Sequence, residues 1–541
     1  MNKKELAALL KRAADLMEVL GEGEFRVLAY RRAARALEAA PEPVEDLAAR
    51  GFAGVRGVGP SLARLLAEIY ESGEFPYLEE LEGRLPPGAL ELFSVQGLGP
   101  KRIRRLLEEG IASLEAVVEA GATGRLESLP GFGKKSAEKA VAAARFALKS
   151  SRRVLLPVGL EAAGIVLADL EAAGIEAALA GSLRRGLETA GGVDLVARGA
   201  PEAVREALGA HVEREEAGVL HGRVEGMPLK VFLAGAANFG TVLVRATGSR
   251  AYLEALGALP EAPTEEAVFS ALGRPYVPPY FREPEHVGLL PPARPLSRED
   301  LRGLLHVHTT ASDGAEPLRA MAEAARAAGY RYLLVSDHSR SAGYAGGLSI
   351  ERVRAQWAEI DRLNAELAPF RVLKGIESDI LKDGSLDYPE EVLAGFDLVI
   401  GSLHSHLDLS EAEQTKRLLR AIENPYLAIL GHPSGRLLLR RPGARADWEA
   451  VLVAAAEKGV VVEVNASPAR LDLDWRLALR FRDRLLFAIG PDAHSREMLA
   501  FVELGVLMLN KAGVGPERVV NTWDAERLLA HARARRGPAR S

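Results

Sequence analysis

The stretch Tyr332-Leu333-Leu334-Val335-Ser336-Asp337-His338 places an apolar run of strand length directly ahead of a polar pair and a histidine. The same order recurs along the last 240 residues. Leu304-Leu305 leads into His306, His308 and Asp313, and Val372-Leu373 leads into Glu377. Leu398 to Ile400 precedes His404, Leu427 to Leu430 precedes His432, and Leu485 to Ile489 precedes Asp492 and His494. Val460 to Val464 is a further run. Helical stretches separate most of these runs. Strand alternating with helix predicts a parallel sheet, and seven strands predict closure into a barrel. Polar residues just past the C-terminal ends of barrel strands are where chemistry is built.

Six histidines and three carboxylates therefore converge on one rim in this reading. Such donors suit Zn²⁺, Mn²⁺ or Fe²⁺. Nine donors (His306, His308, Asp313, His338, Glu377, His404, His432, Asp492 and His494) exceed one coordination sphere, so two to three ions are expected. Clustered ions activate water and clamp phosphate oxygens during in-line attack. His406 lies one step past the pattern and reads as a surface residue. His211, His221, His286 and His531 read as ordinary side chains.

The set resembles the PHP (polymerase and histidinol phosphatase) family. The matching text is His306-Val307-His308-Thr309, Ser312-Asp313-Gly314, Ser336-Asp337-His338-Ser339, Gly375-Ile376-Glu377, Gly401-Ser402-Leu403-His404, Gly431-His432-Pro433 and Pro491-Asp492-Ala493-His494. The resemblance implies a distorted (βα)7 barrel, a trinuclear metal site and hydrolysis of phosphoesters.

The chain has 541 residues, enough for several domains, and 48% apolar content suits full cores. It has no cysteine, which excludes disulfides and thiolate metal sites and suits a reducing, cytoplasmic setting. Met1-Asn2-Lys3-Lys4 leads into a charged amphipathic helix, so no signal peptide is expected. No run is apolar enough for a membrane span. The net charge of −5 hides a Lys- and Arg-rich stretch from 99 to 153 and decides nothing about nucleic acid.

Residues 1 to 150 read as all helix, with apolar positions three and four apart at Leu6, Leu9, Leu10, Ala13, Met17 and Leu20. One break repeats three times: Val55-Arg56-Gly57-Val58-Gly59-Pro60, Val95-Gln96-Gly97-Leu98-Gly99-Pro100 and Leu129-Pro130-Gly131-Phe132-Gly133-Lys134. Paired glycines allow a tight turn with bare N–H groups, and the following helix adds its N-terminal dipole. Together they suit a backbone phosphate. The repeats look like helix-hairpin-helix motifs, which hold DNA without reading sequence. Lys101, Arg102, Lys134 and Lys135 stand where they could add charge.

Residues 151 to 245 read as an α/β unit, with strands at Val154 to Leu156, Ala177 to Ala180, Val193 to Val196 and Leu229 to Leu233, and a helix from Gly159 to Ala173. The text from Gly181-Ser182-Leu183-Arg184-Arg185-Gly186 through Glu188 to Gly192-Val193-Asp194-Leu195 resembles the nucleotidyltransferase palm of family X DNA polymerases. The likeness continues through Thr247-Gly248-Ser249 and Gly273-Arg274-Pro275-Tyr276, and Glu24 to Ala34 matches that family's N-terminal domain. It thus covers nearly the whole chain and implies a bacterial family X polymerase with a C-terminal PHP domain. The boundaries read are 1–80 and 81–150 for two helical hairpin domains, 151–245 for the palm, 246–282 for a shortened thumb, 283–298 for a linker and 299–541 for the PHP domain. A Pro-rich linker joins the halves.

The palm departs from its family. A palm of this kind holds two Mg²⁺ ions on three carboxylates. Here the positions are Gly192, Asp194 and Pro228, so only Asp194 remains and no defined Mg²⁺ seat is expected. Glu225 lies three residues from Pro228 and would face the other side of the strand. Gly181, Ser182 and Arg185 match text that the family uses on triphosphate oxygens, which keeps a dNTP among the candidate partners. Deoxyribose-phosphate lyase chemistry needs a lysine, and the matching position is Leu65, so that activity is not expected by this route.

The resulting expectation is a monomeric, DNA-binding, metal-dependent 3′-to-5′ exonuclease that acts in repair on gapped, nicked or 3′-ended DNA, with polymerase activity weak or lost. Lys374, Arg340 and Arg436 are candidate phosphate contacts at the barrel rim. Three alternatives remain: an active gap-filling polymerase, a phosphatase on a small phosphoester, and an end-binding scaffold with idle sites.

Overall fold

A computed structural model describes residues 1–40, 42–95 and 97–536. It divides into two compact units, one spanning Met1–Arg152 and the other beginning at Arg153.

The first unit is all helix around its own apolar core. Its opening helix, Lys3–Val19, starts at a capping box: Glu5 N–H donates to the Asn2 side chain, and Asn2 N–H donates to Glu5. The three repeated breaks share one geometry; Gln96 of the second lies outside the described residues. In each, the apolar residue between the glycines donates its N–H to the carbonyl three residues back, Val58 to Val55, Leu98 to Val95 and Phe132 to Leu129, each at 3.0 Å. That turn needs a left-handed third residue, and Gly57, Gly97 and Gly131 supply it at φ 98°, 88° and 87°. The second glycines, Gly59, Gly99 and Gly133, precede the helices Pro60–Ser72, Pro100–Glu108 and Lys134–Ser150 as N-caps.

The second unit contains an open sheet and a barrel. The sheet strands are β1 (Glu176–Leu179), β2 (Val193–Arg198), β3 (Val212–Glu216), β4 (Val219–Val224) and β5 (Met227–Ala234), in the order β1-β2-β5-β4-β3. β3 and β4 were not expected. Their hairpin ends in Ala217-Gly218, and β4 turns into β5 at Glu225-Gly226, all four residues at positive φ, as two-residue hairpin turns require. The largely exposed residues of β3 hide it from an apolar-run search. Leu156 also corrects the reading. Only Val154–Leu155 is strand, and Leu156 opens the helix Leu156–Ala172, with Pro157 fixing its first turn. Helices Phe239–Thr247, Arg250–Leu256 and Glu265–Ala271 follow around a small core that includes Tyr252, Phe269 and Phe281.

The junction of the expected thumb and linker packs into the second unit. Arg282, Glu283 and His286 are buried. Glu283 accepts from Arg185 at 2.8 Å and lies 3.2 Å from Lys511 Nζ. His286 stacks on Phe281, with Nε2 2.8 Å from the Lys511 carbonyl. These ion pairs and the stacked ring bury the start of the proline-rich segment.

The barrel strands are β6 (Gly303–Val307), β7 (Tyr332–Val335), β8 (Arg371–Asp379), β9 (Leu398–Ser402), β10 (Leu427–Gly431), β11 (Val461–Asn465) and β12 (Phe487–Gly490), paired in sequence and all parallel. Closure comes just past β12, where His308 N–H donates to the Ala493 carbonyl at 2.9 Å. Below that point Asn521 ties the two edges: its side chain accepts from Ile489 N–H and donates to the carbonyls of Gly303 and Ile489. Leu305, Leu334, Leu373, Ile400 and Ile429 fill the interior together with Trp523 and Leu528 from the C-terminal segment. A filled interior leaves the C-terminal rim for polar chemistry.

Candidate metal centre

All nine donors meet at that rim. They form four overlapping groups: His308, Asp313, His338 and His494; His306, Glu377 and His432; His306, His308 and Asp492; and His338, Glu377 and His404. Within each group the donor atoms lie within 4.8 Å of one another. Glu377, on β8, is central. Five imidazoles stand around its carboxylate, at 2.7 Å (His432), 3.0 Å (His338), 3.2 Å (His404), 3.4 Å (His306) and 3.7 Å (His308). Asp313 lies 3.3 Å from His494 and 3.6 Å from His338.

The backbone bends to build this. His306, His432 and Asp492 have φ of 66°, 21° and 53°, in the left-handed region that non-glycine residues avoid. At His306 the kink breaks strand alternation: Leu305 enters the barrel interior, yet His306 also reaches the centre, and the β6–β7 register shifts there. Such outliers gather at functional sites.

Carboxylates behind the imidazoles aim them. Nδ1 of His306 lies 2.5 Å from Glu463, and Nδ1 of His404 lies 2.5 Å from Asp379. Each ring donates there and turns Nε2 inward, as metal-ligating histidines do. Glu463 also accepts from His432 N–H at 2.6 Å, and Asn465 donates to Asp492 at 3.1 Å. A Cβ on Gly490 would collide with the Glu463 carboxylate, so only glycine fits there. Asp337 accepts from Thr309 N–H and the side chains of Thr309, Ser312 and Gln356, which pins the loop that carries Asp313. Sequence reasoning gave none of these supports a role. Glu463 had a signal, a lone charge inside an apolar run; Asp379 lies two residues past Glu377, on the same strand face.

The electrostatics are strongly coupled. Burial would raise Glu377, but the surrounding histidines hold it well below the usual carboxylate range. Burial works against His404 and His494 too, yet neighbouring carboxylates lift both to about 9. Burial prevails at His308 and His432, at about 4 and about 3. Among the described residues, both Glu377 oxygens, His306 Nε2 and both His308 nitrogens are buried without a hydrogen-bond partner. Buried polar atoms are normally satisfied. A convergent set of orphaned oxygens and imidazole nitrogens fits divalent cations.

Two expected phosphate contacts are committed to other partners. Lys374 pairs with Asp361, 2.7 Å away on the helix Ile350–Leu367. It precedes Glu377 by three residues, so alternation turns it outward. Arg436 donates to Asp474 at 2.6 Å and to the Arg470 and Leu471 carbonyls, and is largely covered. Arg340 is half exposed and lies 3.2 Å from Asp387. His406 is exposed.

In the palm, β2 pairs with β5 so that Asp194 faces Lys230, one step from Val193 opposite Leu229. Gly192 comes next to Pro228: a Cβ there would lie 2.9 Å from the Pro228 carbonyl oxygen. Burial pushes the Asp194 carboxyl up, opposed by the charges of Lys230 and Arg185. The Asp194 carboxylate packs against Gly181, whose φ is 60°. Ser182 is half-buried on the short helix Gly181–Arg184. Arg185 is committed to Glu283 and the Thr247 carbonyl, which takes it out of an open phosphate seat. Glu225 sits in the β4–β5 turn, so its displacement from the palm face is that of a turn residue rather than a strand register.

In the helical unit, Gly57, Gly59, Gly97, Gly99, Gly131 and Gly133 are exposed, as are Lys101, Lys134 and Lys135. A Cβ on Gly59, Gly99 or Gly133 would meet no described atom within 4 Å. Their φ values are negative, so neither packing nor backbone requires glycine at these caps. Bare caps leave room for an external group.

A helix-hairpin-helix domain model matches residues 1–75, a SAM-like helix-hairpin-helix tandem matches 89–145, and the PHP domain matches 305–467. "Probable phosphatase" proteins of Syntrophotalea carbinolica and Thermoanaerobacter sp. (strain X514) are 28% and 29% identical, each over 40% of this chain and 90% and 89% of their own length. The DNA polymerase/3′-5′ exonuclease PolX of Bacillus subtilis (strain 168) is 33% identical over 96% of this chain and 97% of its own. A likeness at that level, running from the hairpins to the PHP barrel, shows that this chain belongs to the PolX family, the family X DNA polymerases with a C-terminal PHP domain.

Proposed function

We propose that this chain is a metal-dependent phosphodiesterase that trims DNA from 3′ ends during repair, and that its palm has lost most of its synthetic power. The observation that carries the reading is Glu377, buried among five imidazoles with both oxygens unsatisfied. His306, His308, Asp313, His338, Glu377, His404, His432, Asp492 and His494 would hold two to three divalent ions. Such ions lower the pKa of a water and neutralise charge on phosphate oxygens. The protein's own part is to fix the donors, through Glu463 and Asp379 behind the rings, and to exclude bulk water from a buried floor.

The exposed glycine caps support DNA as the substrate, because each offers helix N–H groups to a backbone phosphate, and Lys101, Lys134 and Lys135 add positive charge at the second and third. The same features argue against a small-phosphoester phosphatase, the reading favoured by the phosphatase relatives. Polymerase activity is the second reading, carried by the likeness to the Bacillus DNA polymerase/3′-5′ exonuclease. Against it, Gly192, Pro228 and Lys230 stand around Asp194, leaving one carboxylate beside a lysine. One experiment separates these readings: incubate a 5′-labelled gapped duplex with Mn²⁺, with and without dNTPs. Shortening supports the proposal, lengthening supports the polymerase, and neither rejects both.

A further inference from the structure

The centre leaves one guanidinium unexplained. Arg470 lies on the loop after β11, its side chain 18% exposed, with Nε 3.3 Å from Oδ2 of Asp492. Its Nη1 is buried and has no hydrogen-bond partner among the described residues. Nε of Arg441 is in the same state. Burial, and after it the charge of Arg470, holds Arg441 below the usual guanidinium range, so the two cations are near enough to feel each other.

The loop is braced. Arg436 donates to the carbonyls of Arg470 and Leu471 and to the Asp474 carboxylate. Asp472 accepts from Ser434 N–H at 3.0 Å. The backbone at Arg470 is therefore held in place, and its side chain is anchored at Asp492. Burying N–H donors of two guanidiniums without a partner is costly unless an acceptor shares the site. Arginine's planar fork matches phosphate oxygens, and a charge-assisted bond there is strong.

Resting on the phosphodiesterase reading, we infer that Arg470 is a catalytic residue that donates from Nη1 to a non-bridging oxygen of the scissile phosphate, with Arg441 beside it and Nε kept on Asp492. It forms hydrogen bonds only and neither gives up nor takes a proton. The rival role is a counter-charge that merely keeps Asp492 placed for a metal ion. The two roles differ in what a substitution removes.

Arg470→Gln and Arg470→Lys in the full chain test this, with three readouts: bound metal by elemental analysis, hydrolysis of a 5′-labelled oligonucleotide, and inhibition by thymidine 5′-monophosphate. The expected result is unchanged metal content, a fall in kcat/KM of about a hundredfold or more for Arg470→Gln, and inhibition by the nucleotide weakened at least about tenfold, one lost charged hydrogen bond. Arg470→Lys keeps the charge without the fork and should recover only part. An unchanged inhibition constant or an unchanged rate overturns the inference, as does loss of metal from both variants. A wild-type chain that cleaves no phosphodiester ends the phosphodiesterase reading and this inference together; an unaltered variant of an active chain ends this inference alone.

Discussion

Oε1 of Glu188, in the palm's motif text, lies 3.1 Å from Nη1 of Arg476 and 3.6 Å from Nη2 of Arg436, both in the barrel half. Arg436 in turn holds the loop that carries Arg470. The palm motif is thus joined to the rim of the metal centre through two side chains. That gives the palm a structural role beside any part in synthesis.

Glu188→Gln keeps the shape and removes the charge. Arg436 and Arg476 retain Asp474, so the loss should be about 1–3 kcal/mol of stability. Calorimetry should show the transition of the unit beginning at Arg153 moving down while that of Met1–Arg152 stays. Exonuclease rate should fall as well, because the Arg470 loop loses a brace. Unchanged melting and rate would make the contact incidental.

The centre makes a graded prediction. His338→Ala or Asp492→Ala should lower metal content and abolish hydrolysis, with the helical unit still folded. Glu463→Gln and Asp379→Asn touch no substrate, yet each should cost about 10–100-fold in metal affinity or activity, because each frees an imidazole to turn. Elemental analysis of the wild type should give more than one divalent ion per chain. One ion or fewer after gentle purification would contradict a multinuclear centre.

The barrel was legible because six of its seven strands are short apolar runs that lead into a metal-type residue, and the buried floor forces that pattern. Glu463 and Asp379 were harder to see. A carboxylate two residues from a donor, or inside an apolar run, looks like a register slip until the ring it orients is in view. Arg470 had no signal, since only tertiary placement sets it against Asp492. The β3–β4 hairpin stayed hidden because its largely exposed edge strand obeys no burial pattern. How the linker packs was not legible, since composition marks a junction but not the partners, Arg185 and Lys511, that Glu283 meets there.

The hairpins should act alone. Residues 1–152 have their own core and should bind duplex DNA with little sequence preference and a steep loss of affinity with salt, because phosphate contacts release counterions. Lys134→Glu with Lys135→Glu should weaken binding to all sequences alike. Titrations at two salt concentrations check this. Salt-insensitive binding would mean that the caps do not hold phosphates.

His286 predicts an acid limb. Burial is the main cause that lowers its pKa to about 4, from an unfolded value of about 6.5. The folded state then binds fewer protons than the unfolded chain between those values. The sign follows: the contribution is fully present above about pH 6.5 and is lost as pH falls towards 4, by up to about 3 kcal/mol. His286→Gln should flatten that decline. Denaturant midpoints at pH 7 and pH 4.5 measure it, and equal declines in both proteins would assign the acid limb to other groups.

Primer extension across a one-nucleotide gap should be very weak. Removing even one preorganised charge-stabilising group commonly costs about a hundredfold, and here two metal-holding carboxylates are absent, at Gly192 and Pro228. Exonuclease could mask synthesis, so the assay belongs in a His338→Ala protein with Mg²⁺ or Mn²⁺. Gly192→Asp alone should not help. Its Cβ would come within 2.9 Å of the Pro228 carbonyl oxygen, and the two carboxylates would still face Lys230. Gly192→Asp with Pro228→Asp supplies three carboxylates and is the smallest change expected to raise extension above background. Neither nearby acid is placed to take over, since Glu225 stands in a turn and Glu188 is held by two arginines. Robust extension by the His338→Ala protein, with the palm otherwise untouched, would therefore mean that Asp194 holds its ions with a partner from outside this face, and the palm would have to be counted as a working polymerase site.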